Sequence, residues 1–338
     1  MKYVLSLLLV FNTVAIFGQD NTSDPEARDR ELFRTYGYCY GQQKSVEQIK
    51  REFPHLRISM FQAETAFNVT FGKSCKAVGE IFGESVRQKL NSEFDKYISS
   101  TAISESVATE FIAKIQARSK GVIETPVKET LLTFNPDFRD KPALEFIRGF
   151  TKTFTSAGHS KAKGLSIDIK VPMSWISREG NRPNIVQFFK AEYGRSDASM
   201  LIGIRNFEPP RGVRVTQRDI DAMFTATNVR GMAPEGAVVV ESKPITLEGM
   251  KGGMLIYDAT AERLDLSISM RTLSYTIFFN NRLVSIEFSV GDITSNRAKS
   301  MELFTKYRPL FTMIANSLII RDAYVRNYRT RGAAPCHF

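Results

Sequence analysis

The chain has 338 residues, a net charge of +10 and a hydrophobic fraction of 43%. That is length enough for two ordinary globular domains. Past its first residues it has no apolar run long enough to span a bilayer and no basic-aromatic nucleic-acid motif, which excludes a polytopic membrane protein and a nucleic-acid binder.

Lys2 precedes an almost wholly apolar run, Tyr3 to Phe17, and Gly18-Gln19 opens the polar stretch QDNTSDPEARDRE. A basic start, a short greasy core and a small residue before polar sequence read as a secretory signal peptide. The run is too short to span as a helix. Residues 1–18 are therefore expected to be cleaved near Gly18, which places the mature chain in the periplasm or outside the cell. No transmembrane segment is expected after cleavage.

Charge is unevenly placed. Residues 19–158 hold 20 Lys+Arg against 19 Asp+Glu, whereas 159–338 hold 25 against 17. Such a basic second half suits an anionic surface or an acidic protein patch, or simply keeps the protein in solution.

Residues 19–158 read as an α-helical domain. Cys39, Gln42, Val46, Ile49 and Phe53 step by three and four, and Pro54 ends that helix. Phe67, Phe71, Cys75, Val78 and Phe82 mark a second helix. Ile103, Val107, Phe111 and Ile115 mark a third, which stops near Gly121. A fourth opens at Asp140-Lys141-Pro142, carries Leu144, Ile147, Phe150 and Phe154, and stops at Gly158. Four amphipathic helices must bury their stripes against one another or a neighbouring domain. Cys39 and Cys75 each lie on the apolar stripe of their helix. In an oxidising compartment they pair across the interface, or they remain buried free thiols. Cys336 is left unpaired.

Residues 159–164 are small, polar and basic, and read as a linker. From 165 the period changes to 2: Leu165, Ile167, Ile169 and Val171 alternate with polar residues until Pro172. Further strands are expected at 185–193, 199–207, 237–247, 254–260, 266–279 and 283–290. Asn280-Asn281 suits a tight hairpin turn. A helix is expected over 217–228, where Thr216 and Asp219 form a capping-box pair. A final helix through Met301, Phe304, Tyr307, Phe311, Ile314 and Leu318 contains Pro309, so a kink or two short helices are expected. The fold class is thus α+β: a helical domain, then an antiparallel-sheet domain with flanking helices over 165–322. A basic tail fills 323–338.

This second half resembles the PsbP/DcrB-like α/β domains. The resemblance rests on the strand order, on Val171-Pro172-Met173-Ser174-Trp175 closing the first strand, and on the terminal Asn316-Ser317-Leu318-Ile319-Ile320. It implies an exported or lumenal domain that acts by binding proteins, with no shared catalytic site. The helical half, through Tyr38-Cys39-Tyr40-Gly41-Gln42 and Phe53-Pro54-His55-Leu56, resembles exported bacterial proteins without an assigned activity.

Catalytic motifs are not found. There is no G-x-S-x-G, H-E-x-x-H, phosphate-binding loop or G-x-G-x-x-G. His55, His159 and His337 have no metal-ligand spacing beyond Cys336-His337 in the tail. Asp219 and Asp221 would point to different sides of a helix. No catalytic residue, metal or cofactor is therefore expected. One cluster suggests a contact surface: Arg205, Arg211, Arg214 and Arg218 run from a strand, past Pro209-Pro210, into a helix start, where guanidinium groups and free N–H groups can hold an anion. The alternative is four solvated charges. The expected function is that of an exported, non-enzymatic interaction module of the bacterial envelope, bound to an envelope protein or an anionic surface. An exported hydrolase with a site in the interdomain cleft is the alternative, and small-ligand binding by the sheet domain a third.

Overall fold

The computed structural model describes residues 25–98, 102–191, 198–208, 215–263, 266–292 and 297–324. The expected signal peptide (1–18), the expected tail beyond 324, Cys336, Arg211 and Arg214 lie outside them.

The first half is helical. Helix α1 (Pro25–Glu52) ends where Pro54 starts a short 3-10 turn, Pro54–Leu56. Helices α2 (Arg57–Phe67) and α3 (Lys73–Ile81) are joined by one π turn, Asn68–Gly72. Then come α4 (Glu84–Ile98), α5 (Glu105–Ser119), α6 (Thr125–Thr133), α7 (Pro136–Asp140) and α8 (Ala143–Ile147). Their shared core holds Val46, Ile49, Met60, Phe67, Phe71, Ile115 and Leu131. A disulfide joins Cys39 on α1 to Cys75 on α3, with Cα atoms 5.7 Å apart.

The fourth expected helix is far shorter than its periodicity suggests. Gly149 takes φ +80° directly after α8, the left-handed conformation that ends a helix. Residues Thr151–Thr155 are instead strand β1, antiparallel to β2 (Ile167–Pro172). Phe150 and Phe154 keep helical spacing by coincidence: Phe150 packs on Phe71 and Phe138 of the helices, Phe154 on Phe189 of the sheet. The expected linker, 159–164, consequently lies inside the β1–β2 connection, and Ala162 within it is buried.

Strands β3 (Ile176–Glu179), β4 (Ile185–Lys190) and β5 (Ala198–Asn206) follow, then helices α9 (Gln217–Met223) and α10 (Ala226–Arg230). The single helix expected over 217–228 is thus two short ones. Thr225 caps the second, its side chain accepting from the Asn228 N–H. Strands β6 (Val238–Leu247), β7 (Met250–Arg263), β8 (Leu266–Phe279) and β9 (Arg282–Asp292) come next. Helix α11 (Arg297–Asn316) runs as one element through Pro309, and β10 (Ile319–Ile320) is the last strand described. One sheet has the order β1-β2-β10, the other β3-β4-β5-β9-β8-β7-β6. All pairings among the described residues are antiparallel.

Alternation fixes which face is inside. Val284, Ile286, Phe288 and Val290 of β9 face α11, where Phe288 stacks on Phe311 at 4.7 Å. On the opposite face α10 lies so close that a Cβ on Gly253 would come within 2.6 Å of Val229. Asn280 and Asn281 have φ of 51° and 57°, as a two-residue hairpin turn requires. Thr216 and Asp219 form the reciprocal capping box. Thr216→Ala should therefore cost about 1 kcal/mol of stability, read as a lower denaturation midpoint. No change would mean that α9 does not contribute to the cooperative unit.

Candidate functional site

Strands β7 and β8 present core residues along most of their α11-facing side, then change character. On β7 the inward positions run Met254, Ile256, Asp258, Thr260; on β8 they run Ile277, Tyr275, Leu273, Arg271, Ser269. The register sets Asp258 opposite Arg271 and Thr260 opposite Ser269. The apolar stripe therefore ends in a block of four polar residues beneath the first turns of α11. This block floors a cleft of about 250 Å³, walled by Ser300 and Met301 of α11 and by Glu235, Gly236 and Val238 before and at the start of β6.

Arg271 and Asp258 form the centre of that floor. Nε of Arg271 donates to Oδ1 at 2.7 Å and Nη2 to Oδ2 at 2.8 Å, a fork-on-fork pair. Their side chains are only 13% and 18% exposed. The Asp258 carboxylate pushes the Arg271 guanidinium further up, and the guanidinium lies 5.7 Å from the Phe304 ring centroid. Ser300 is buried, and its Oγ has no hydrogen-bond partner. Around the mouth Val238 and Met301 are exposed at 61% and 44%.

A second cluster lies where the helical half meets the sheets. Glu145 of α8 accepts from the Ser174 N–H at 2.8 Å and from its Oγ at 2.7 Å. Burial pushes this carboxyl up to about 7, against the Ser174 bonds and the nearby Lys152, which pull it down. The void beside it, lined by Trp175, Tyr307 and Arg139 among others, measures about 20 Å³. That is room for one water-sized molecule.

The arginine cluster is not assembled by the described residues. Arg205 sits exposed near the end of β5, and Arg218 sits exposed on α9. Helix α9 has seven residues, and its capping box already engages the N–H groups of Thr216 and Asp219. Arg205 instead bears on Glu287 of β9, whose carboxyl burial pushes up and Arg205 draws part of the way down. His55 pairs with Glu105 at 2.8 Å, and His159 Nδ1 accepts from the Lys161 N–H. Among the described residues no group of three His, Cys, Asp or Glu is arranged to hold a metal. The polar block is absent from the sequence expectations, although the change from LIY to DAT along one alternating strand is a readable signal of it.

No protein-family model and no curated protein matches the chain. Solved structures align with about half of it. Cyanobacterial PsbP (CyanoP) from Synechocystis sp. PCC 6803 does so at 12% identity, covering 50% of this chain and 92% of its own, with a TM-score of 0.32. The Ran-binding protein Mog1p of Saccharomyces cerevisiae aligns at 10% identity over 52% of this chain and 97% of its own, with a TM-score of 0.32. LpqN, involved in cell envelope biogenesis of Mycobacterium tuberculosis, aligns at 11% identity over 52% and 95%, with a TM-score of 0.29. The PsbP/DcrB-like resemblance of part of the chain is found among these likenesses. No helix among the described residues is long and apolar enough to cross a membrane.

Proposed function

We propose that this chain is an exported, non-enzymatic binding module of the cell envelope, and that its partner engages the cleft between β6–β8 and α11. The observation that carries this reading is the Arg271–Asp258 fork. Each group saturates one side of the other, so neither is set up as a general base or a nucleophile. What the cleft offers is fixed donors and an apolar rim, which is how recognition sites are built. The hydrolase alternative needs a substrate-sized site at the junction of the two halves. The 20 Å³ void at Glu145 is far below that size.

A photo-crosslinking side chain at Val238, in the native host, tests the proposal. Val122, 69% exposed on the helical half, is the control position. One reproducible envelope adduct from position 238 and none from 122 is expected. No adduct from 238, or the same adducts from both positions, would remove the cleft from the function.

A further inference from the structure

We propose that the outer face of α2 is a self-association surface whose occupant is a second copy of this chain, crossing it antiparallel about a two-fold axis. This goes beyond the binding reading above and does not rest on it.

Helix α2 carries apolar residues on two sides. Met60, Ala63 and Phe67 face inward and are buried in the core of the helical half. Turned away from that core are Ile58, Phe61, Gln62, Thr65, Ala66 and Val69, all of them exposed. Their spacing of i, i+3, i+4, i+7, i+8 and i+11 is that of one helical stripe, about 16 Å long, running from α2 into the π turn. Its large apolar members stand well out: Ile58 is 74% exposed, Phe61 60% and Val69 78%. A surface helix ordinarily keeps one face polar, and one that is apolar on two sides is suited to being covered on both. The core covers one side of α2.

The order of residues along the stripe selects the occupant. Read from either end it runs apolar, apolar, polar, polar, apolar, apolar. Two copies laid antiparallel set Ile58 of one against Val69 of the other, Phe61 against Ala66 and Gln62 against Thr65, and the axis repeats the same three contacts. A two-fold contact requires this self-complementarity, and a chance apolar patch lacks it. The short Ala66 leaves room for the ring of Phe61, and the Gln62 amide can hydrogen-bond the Thr65 hydroxyl on each side of the axis.

Charge points the same way. None of the six residues is charged, so antiparallel copies bring no like charges together along the stripe, and nothing on it calls for an acidic or a basic partner. Beside it Lys50 pairs with Glu64, and Lys73 with Asp137 at 2.7 Å. A helix that lies on a lipid surface instead carries a surplus of Lys and Arg along its polar face. A single helix crossing falls short of the standard interface of about 1,600 Å², so the dimer is a weak one.

Sedimentation equilibrium of the purified exported protein, from about 1 to about 500 μM, tests this. A Cys336→Ser background prevents a disulfide from joining two chains. The average mass is expected to climb from one chain towards two. Phe61→Gln should weaken the association about tenfold or more, because each dimer loses two rings, and should leave the denaturation midpoint unchanged. Ile58→Glu and Val69→Lys should each weaken it. The double variant should restore it, since each introduced carboxylate then meets an introduced ammonium of the other copy. Within one chain the two positions lie about 16 Å apart, too far to pair with each other. A single-chain mass at every concentration, a dimer indifferent to Phe61→Gln, or a double variant no better than the single ones overturns the proposal. So does a chain that stays single but sediments with phosphatidylglycerol vesicles through Phe61, which would assign the stripe to a lipid surface. Crosslinking from position 238 probes the sheet half, so the two readings fail separately.

Discussion

The stability of the protein should fall as pH rises through neutrality, and Glu145→Gln should flatten that fall. Glu145 is 4% exposed and its carboxyl is pushed up from the ordinary 4.5 to about 7. Burial is the main cause. The groups that face it are Ser174, which donates twice, Lys152, which is itself paired with Glu129 at 3.1 Å, and Arg139 and Tyr307 across the void. The folded state thus holds its proton more tightly than the unfolded chain does. The stability from protonated Glu145 is fully present below about pH 4.5 and is lost as pH climbs through about 7. At 1.36 kcal/mol per unit the loss is on the order of 3 kcal/mol above neutrality. The amide introduced by Glu145→Gln would still accept from the Ser174 N–H and carries no charge to bury. The variant's denaturation midpoint should exceed that of the parent at alkaline pH and match it in mild acid. Parallel pH profiles for parent and variant would show that Glu145 does not ionise in this range.

Reduction of the Cys39–Cys75 bridge should cost nearly as much or more. The bridge closes a sequence separation of 36 residues between α1 and α3. Confining the unfolded chain to that loop is worth about 4 kcal/mol on the chain-entropy model. Both cysteines pack against the helical core, so the Cys39→Ser, Cys75→Ser pair leaves its apolar packing nearly intact. Chemical denaturation of the helical half with and without reductant measures the difference. A midpoint indifferent to reductant, and equal in the double variant, would show that the bridge contributes nothing to stability. The bridge and Glu145 share no partner, so their effects should add.

Several of these elements are readable from residues alone, for local reasons. A capping box needs only Thr216 and Asp219, and a hairpin turn needs only Asn280-Asn281. Strand β2 shows in its alternation because one face is buried and the other wet. Helix α5 shows because its stripe is regular and Ser104 caps it. What stays hidden depends on partners far off in sequence. Strand β1 reads as helix because the stop at Gly149 competes with a phenylalanine pattern that serves two different cores. Helices α6 and α7 are short, and Leu131, Leu132 and Phe138 become a core only against the faces of other helices. Strands β3 and β10 are too short to show a period. Glu145 looks like a surface residue until Ser174, 29 positions later, folds over it. The cleft needs the register of β7 against β8, which no single strand reports.

Strand β2 has partners from both ends of the sheet half. It pairs with β1, made just before it, and with β10, the last strand described. Around that second pairing Asp322 accepts from the Ser166 N–H at 2.8 Å, a contact 156 residues apart in sequence. Arg321 adds an ion pair to Asp168. Until this final segment has been synthesised, β2 keeps an open edge and its isoleucines have an incomplete cover. Closing so long a loop is entropically slow, so the three-stranded sheet should be completed after the local hairpins of the seven-stranded one.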